Sequence, residues 1–265
     1  MKTVALTRAI GVEVSDVDLS APLSDDVVAD LRRLFAAHSL LLFRDQTLSP
    51  DDQYRVVTSF GEVSTALLPP PRSDGDEVGF FLSSEYADGR GELDPHSDHC
   101  FLDRPLWGIS LYALTAPESG GDTIFTSTVS ARRNLAPDVE RSVAGRNAVH
   151  TYRARKRLGD EIRDANFPDE LSAEHPVVWH HPVTGTPLLY VNPSMTDHIV
   201  GMDPDESQRL LARLLDHLAD PSIKYQHHWR PGDFIIWDNI ALIHARTAYD
   251  PAEPRLLYRL QLALP

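Results

Sequence analysis

The run Arg255-Leu256-Leu257-Tyr258-Arg259-Leu260-Gln261-Leu262 alternates in the way a β-strand requires. Successive side chains of a strand point to opposite sides, so Leu256, Tyr258, Leu260 and Leu262 fall on one face. Arg255, Leu257, Arg259 and Gln261 fall on the other. A surface strand would leave both arginines in water. A strand lining the inside of a barrel would bury two guanidinium groups, which then need anions. A carboxylate matches the guanidinium fork with two parallel hydrogen bonds, so the second arrangement calls for a dicarboxylic ligand. Upstream lies a turn bracketed by Pro251 and Pro254, preceded by His244-Ala245-Arg246-Thr247-Ala248-Tyr249-Asp250.

His244 has a counterpart far upstream in His96-Ser97-Asp98. Residues two apart on a strand share a face, so H-x-D aims an imidazole and a carboxylate at one point. A second imidazole from a distant strand would complete two histidines and one carboxylate, the set of the non-haem Fe(II) oxygenases. That set leaves the other metal positions open for a co-substrate and oxygen. The tripeptide alone carries little weight in a chain with 12 histidines and 39 acidic residues.

Short strand candidates run from Leu106 to Leu114, Asp122 to Ser127, Val177 to His180, Leu188 to Val191, Asp233 to Trp237 and Arg255 to Ala263, with His38 to Phe43 as a buried strand. Helix signals are fewer. Ser24 can cap a helix with Asp25 and Asp26 in its first turn and Val27, Val28, Leu31, Leu34 and Phe35 at helical spacing. Ser49-Pro50-Asp51-Asp52 starts a second, stopped by Gly61. Asp203-Pro204-Asp205-Glu206 starts a third, with Glu206 placed for a capping box and Leu210, Leu211, Leu214, Leu215 and Leu218 as a core stripe. The expected class is α+β, mainly β: a double-stranded β-helix, or jelly roll, with flanking helices. One domain is expected over residues 1–265, with lid or substrate loops near 69–91 and 131–175, where strand pattern is lacking.

The chain has 265 residues, 42% of them hydrophobic, enough for one large core. A formal net charge of −14 argues against nucleic acid and against an anionic membrane surface as partners. No apolar run is long enough to span a bilayer and no leader is evident, so a cytoplasmic location is expected. The single cysteine, Cys100, suits a reducing compartment and reads as a small buried apolar group.

Taken in order, Phe43-Arg44-Asp45-Gln46, Phe60-Gly61-Glu62, His96-Ser97-Asp98, Gly120-Gly121-Asp122-Thr123, His181-Pro182-Val183-Thr184-Gly185, Val191-Asn192, Trp237-Asp238-Asn239, His244 and the Arg255/Arg259 pair resemble the taurine/2-oxoglutarate dioxygenase family over nearly the whole chain. The resemblance implies Fe(II) held by His96, Asp98 and His244. It implies 2-oxoglutarate as co-substrate, its far carboxylate on Thr123 and Arg255, and O2 as oxidant. The implied reaction hydroxylates an unactivated C–H bond and releases succinate and CO2, with desaturation or another oxidative rearrangement as the alternative. Related halogenases lack the carboxylate ligand, so Asp98 argues against halogenation. Two other classes remain to be separated: a jelly roll that binds metal or ligand without turnover, and a zinc hydrolase using the same three ligands. Neither has a use for a dicarboxylate clamp.

The resemblance also places Arg259, Tyr152 and Met195 at the substrate. Taurine-processing members carry a histidine four residues beyond the FGE triplet, and Ala66 stands there in this chain. A small-molecule substrate other than taurine is therefore expected, either acidic, paired with Arg259, or amino-acid-derived. For the acidic case Arg153-Ala154-Arg155-Lys156-Arg157 offers an entry patch; for an amine, Glu85, Glu92 and Asp94 offer partners. Homo-oligomer formation stays open.

Overall fold

Helix-start signals act where the sequence places them. In the computed structural model, which describes residues 1–67, 78–85, 91–152 and 171–265, α1 spans Asp25–His38 and buries Leu31, Leu34 and Phe35. Ser24 occupies the cap position, but its hydroxyl makes no cap bond; Ser39, at φ 61°, closes the other end with its N–H on the Phe35 carbonyl. In α2, Pro50–Thr58, Ser49 and Asp52 form a reciprocal capping box. That helix ends at Thr58, short of the expected stop at Gly61. Two short helices, α3 (Thr128–Arg133) and α4 (Pro137–Val143), precede α5 (Pro204–Leu218). Asp203 caps α5 through the N–H groups of Asp205 and Glu206. Leu210, Leu211, Leu214 and Leu218 are buried against Ala131, Val139 and Ile223, so the leucine stripe is core.

The strands, in chain order, are β1 (Lys2–Ala5), β2 (Val12–Ser15), β3 (Leu40–Phe43), β4 (Phe80–Ser83), β5 (Leu93–His96), β6 (Gly108–Thr115), β7 (Thr123–Ser127) and β8 (Asn147–Thr151). They continue with β9 (Ser172–Pro176), β10 (Val178–His180), β11 (Pro187–Leu189), β12 (Thr196–Ile199), β13 (Lys224–His227), β14 (Phe234–Asp238), β15 (Leu242–Arg246) and β16 (Leu256–Leu262). Among the described residues they form a seven-stranded sheet in the order β1-β2-β3-β14-β6-β16-β4 and a four-stranded sheet in the order β13-β7-β15-β5. A three-stranded sheet, β12-β8-β9, and the β10-β11 hairpin complete the set. Every pairing is antiparallel except β2 with β3. The chain is thus mostly sheet with a few helices.

Alternation along β16 divides the core. Tyr258, Leu260 and Leu262 join Phe35, Val56, Val57 and Phe60 on the side of α1 and α2. Gln53 of α2, fully buried, fastens that layer by donating to Ser110 Oγ and the Tyr258 carbonyl. Leu257 faces the other way, with Ile109, Leu111, Phe125, Trp237 and Leu242, in a layer contributed by both larger sheets. Burying each such side chain is worth roughly 1.5–3 kcal/mol. The arginine face of the strand is therefore the interior one.

Two expectations are corrected. The stretch 131–175 is not uniformly irregular: α3, α4 and β8 occupy its first part and β9 its end, all too short for their pattern to stand out. Likewise β4 lies inside the expected loop 69–91. Among the described residues, no helix is long and apolar enough to cross a membrane.

Candidate active site

β5 and β15 are antiparallel neighbours, and their register sets His96 directly opposite His244. The two rings lie 4.3 Å apart, centroid to centroid. Asp98 follows just past the end of β5, with Oδ1 3.4 Å from His96 Nε2 and Oδ2 3.6 Å from His244 Nε2. One ligand atom from each of the three lies within 4.8 Å of the others, and among the described residues this is the one acidic and histidine group so arranged. His96 Nδ1 is 2.7 Å from the Asp94 carbonyl. A carbonyl can only accept, so Nδ1 carries the proton and Nε2 presents its lone pair to the cluster. Burial, helped by nearby His96, pushes His244 down to about 4, which keeps its imidazole neutral and able to ligate. For Asp98 burial opposes ionisation, but Arg259, His244 and His96 together hold it well below the usual carboxylate range. Two imidazoles and one ionised carboxylate on a shared point fit a divalent ion of the Fe(II) type.

The loop that carries Asp98 is braced from behind. Asn239, fully buried, accepts from the Asp98 N–H at 3.0 Å and donates to the Asp98 and Leu106 carbonyls. Ser97 Oγ donates to the Asn239 carbonyl at 2.7 Å, and Ser194 Oγ to that of Pro95. Asp238 accepts from Trp107 Nε1 and lies 2.9 Å from His181 Nε2, which makes Asp238 and His181 framework, whereas Trp237 lines the cavity. His99 sits at φ 57°, a sparsely populated conformation for a residue with a side chain, and so turns the backbone sharply next to the ligand. Cys100 is buried with its thiol raised to about 12 by burial, touching Met195 Sδ and Asn192; it is packing, as expected.

At the other end of the same cavity Arg255 is 2% exposed. Its Nε donates to the Gly121 carbonyl at 3.3 Å, and its Nη1 has no partner among the described residues. Gly121, at φ +65°, lets the arginine pass: a Cβ there would meet Arg255 Cδ and Nε at 3.3 Å. Burial and the neighbouring Arg246 push the Arg255 guanidinium down to about 9, still cationic at neutral pH. Thr123 faces the cavity from β7. Its Oγ1 accepts from Trp229 Nε1 at 2.9 Å, so the hydroxyl proton is left to donate elsewhere. A buried cation with an unsatisfied donor beside a hydroxyl donor makes an anion seat.

Arg259 differs from the expectation. The expected counter-charge is a substrate acid, yet Nη2 donates to Asp98 Oδ2 at 2.8 Å, so the chain itself supplies an anion. Its Nε, also buried, has no partner among the described residues. Tyr152 and Met195 line the cavity as expected, together with Leu67, Phe80, Leu82, Leu93, Phe101 and Leu111. Ala66 is exposed; its neighbour Leu67, at φ 53°, is the one that reaches the cavity wall. Glu85, Glu92 and Asp94 are exposed and do not line it, which removes the partners expected for an amine. The basic segment 153–157 lies outside the described residues. Sequence reasoning gave no role to Arg246 or Trp229, and it met Asn239 only as part of the Trp237-Asp238-Asn239 motif, without its bracing of Asp98. Arg246 left a signal in its two-residue offset from His244 on one strand.

Residues 2–261 match the family model described as Taurine catabolism dioxygenase TauD, TfdA family. Pentalenolactone F synthase of Streptomyces avermitilis is 30% identical over 281 residues, covering 94% of this chain and 89% of that protein. The alpha-ketoglutarate-dependent 2,4-dichlorophenoxyacetate dioxygenase of Cupriavidus pinatubonensis is 30% identical, covering 95% of this chain and 93% of its own. The crystal structure of a taurine dioxygenase from Burkholderia xenovorans superposes with a TM-score of 0.84 at 30% identity, covering 99% of this chain and 89% of that one. With a family model that spans nearly every residue, the chain belongs to the TauD/TfdA family of dioxygenases.

Proposed function

We propose that this chain hydroxylates a small acid with an apolar body, holding Fe(II) on His96, Asp98 and His244 and the far carboxylate of 2-oxoglutarate on Arg255 and Thr123. The enzyme class is that of the family, a 2-oxoglutarate-dependent dioxygenase, with Fe(II), 2-oxoglutarate and O2 as its cofactors. The single observation that carries the assignment of residues is their convergence: the three ligand side chains, Thr123 and Arg255 line one cavity. Facing sheets with that cavity between them support a double-stranded β-helix as the architecture. A cytoplasmic location is the fitting one for ferrous iron and a free thiol.

Bound at the three ligands, the ferrous ion supplies the activation of O2 that couples decarboxylation of 2-oxoglutarate to oxidation of a C–H bond. The chain's own residues supply the rest. His96, fixed by Asp94, and neutral His244 offer lone pairs from opposite strands. Arg259 keeps Asp98 ionised and fixes one of its oxygens. Arg255 and Thr123 orient the co-substrate at its far end. Leu67, Phe80, Phe101, Tyr152 and Met195 exclude water and pack the substrate body. Arg259 Nε is the buried donor left for the substrate's acidic group, so the pairing foreseen for Arg259 is kept with Nε in place of the whole guanidinium. Among the relatives, 2,4-dichlorophenoxyacetate has this character, an apolar ring bearing a carboxylate.

Anaerobic titration of the protein with Fe(II) and then 2-oxoglutarate tests the assignment, because chelation gives a weak visible charge-transfer band. Its absence would remove the ligand set. A panel of carboxylates, sulfonates, sulfates and amines, scored by succinate release above the background without substrate, then tests the substrate class. Coupled turnover of an amine alone would overturn it.

A further inference from the structure

Arg246 has no role in the reading above, yet it stands where the co-substrate's far carboxylate would arrive. In the β15–β7 pairing Arg246 is directly opposite Thr123. Opposed residues of an antiparallel pair carry their side chains on one face, with Cβ atoms roughly 4.5–5.5 Å apart. Arg246 also lies two residues after His244, on the inward side of β15, and it is 5% exposed. It lines the same cavity as Thr123 and Arg255. Its Nε donates to the Gly91 carbonyl at 2.8 Å, which fixes the plane of the guanidinium. Its charge reaches Arg255, since Arg246 is one cause of that group's lowered pKa.

We infer that Arg246 is a second arginine of the 2-oxoglutarate site, sharing the far carboxylate with Arg255 and Thr123. The inference rests on the proposed placement of that carboxylate at Arg255 and Thr123. A carboxylate has about four lone-pair positions, enough for donors from two guanidiniums and one hydroxyl. The two-arginine seat makes the site demand a dicarboxylic co-substrate. Arg246 thereby determines co-substrate selectivity and has no part in holding the metal.

The test is calorimetric binding to the Mn(II)-loaded protein of two chelators: N-oxalylglycine, which carries the far carboxylate, and oxalate, which lacks it. For Arg246→Ala, N-oxalylglycine affinity should fall about 10- to 100-fold, the loss of a charge-assisted pair, with oxalate affinity unchanged. Arg246→Lys, which keeps the charge and loses the fork, should lie between and serves if the alanine variant does not fold. Equal weakening of both chelators would show that Arg246 acts through the fold alone and would overturn the inference. Unchanged affinity for both would overturn it as well. Arg255→Ala separates the two levels. If it loses N-oxalylglycine while Arg246→Ala does not, only the role of Arg246 fails; if neither loses it, the carboxylate seat itself is misplaced.

Discussion

Arg259 and Asp98 form an ion pair 2.8 Å long inside the cavity, linking the strand that carries the anion clamp to the proposed metal carboxylate. Removing the cation leaves a partly buried carboxylate with one free oxygen. Arg259→Gln should weaken metal retention about 10- to 100-fold, the usual effect of losing a ligand's hydrogen-bond partner. Titration with Mn(II), followed by its paramagnetic signal, reads this directly. Wild-type affinity in the variant would mean that the pair does not orient Asp98.

Replacing His96, Asp98 or His244 by alanine should take turnover below detection while the melting transition survives, because these side chains face the cavity and the apolar layers lie elsewhere. A chelator should do the same to the unaltered protein, reversibly on adding Fe(II). Substantial activity in His244→Ala would sink the ligand assignment.

Arg255→Ala should raise the 2-oxoglutarate requirement by an amount equivalent to about 2–5 kcal/mol, the cost of breaking a buried charge pair. Thr123→Val should cost less, about 0.5–1.5 kcal/mol for one hydrogen bond. In that variant Trp229 Nε1 also loses its acceptor, so the size of the effect includes the indole. Apparent KM for 2-oxoglutarate at saturating substrate is the measurement.

Gly121→Ala probes the clamp without touching its charge. A Cβ would press on Pro117 Cγ at 3.0 Å and Arg255 Cδ at 3.3 Å, at a φ of +65° that alanine adopts only at a cost of about 1–2 kcal/mol. We expect a lower melting midpoint and a raised 2-oxoglutarate KM with metal affinity intact. An unchanged KM would show that Arg255 does not depend on this glycine for its position.

His150 is fully buried, and burial with its neighbour His175 pushes it down to about 3. His175 is lowered as well, mainly by burial. The unfolded chain binds these protons below about pH 6.5 while the folded chain does not, so stability is full above that pH and falls as pH drops toward 3. The slope from His150 alone is about 1.4 kcal/mol per pH unit, or roughly 2 kcal/mol by pH 5. Denaturant unfolding at pH 5 and pH 7 should show a smaller difference in His150→Gln than in wild type. An identical difference in both proteins would mean that His150 is not held neutral.

The sequence by itself determined the elements whose signal is local or ordered. Pro50 after Ser49 starts α2, the leucine stripe of α5 is core, and the alternation of residues 255–262 sets the arginines of β16 apart from its leucines. His96, Asp98 and His244 could be singled out because a strand's period of two and the family's order of motifs are both properties of the chain. Tertiary structure decided what depends on pairing across distance. Only the β5–β15 register brings His96 opposite His244, and only the β15–β7 register brings Arg246 opposite Thr123. Asn239 reaches the Asp98 backbone across 141 residues, a contact no local pattern can announce. The bond from Arg259 Nη2 to Asp98 is out of reach of local pattern for the same reason. A side chain's face follows from its position on a strand, but its counter-ion depends on which other strand arrives beside it.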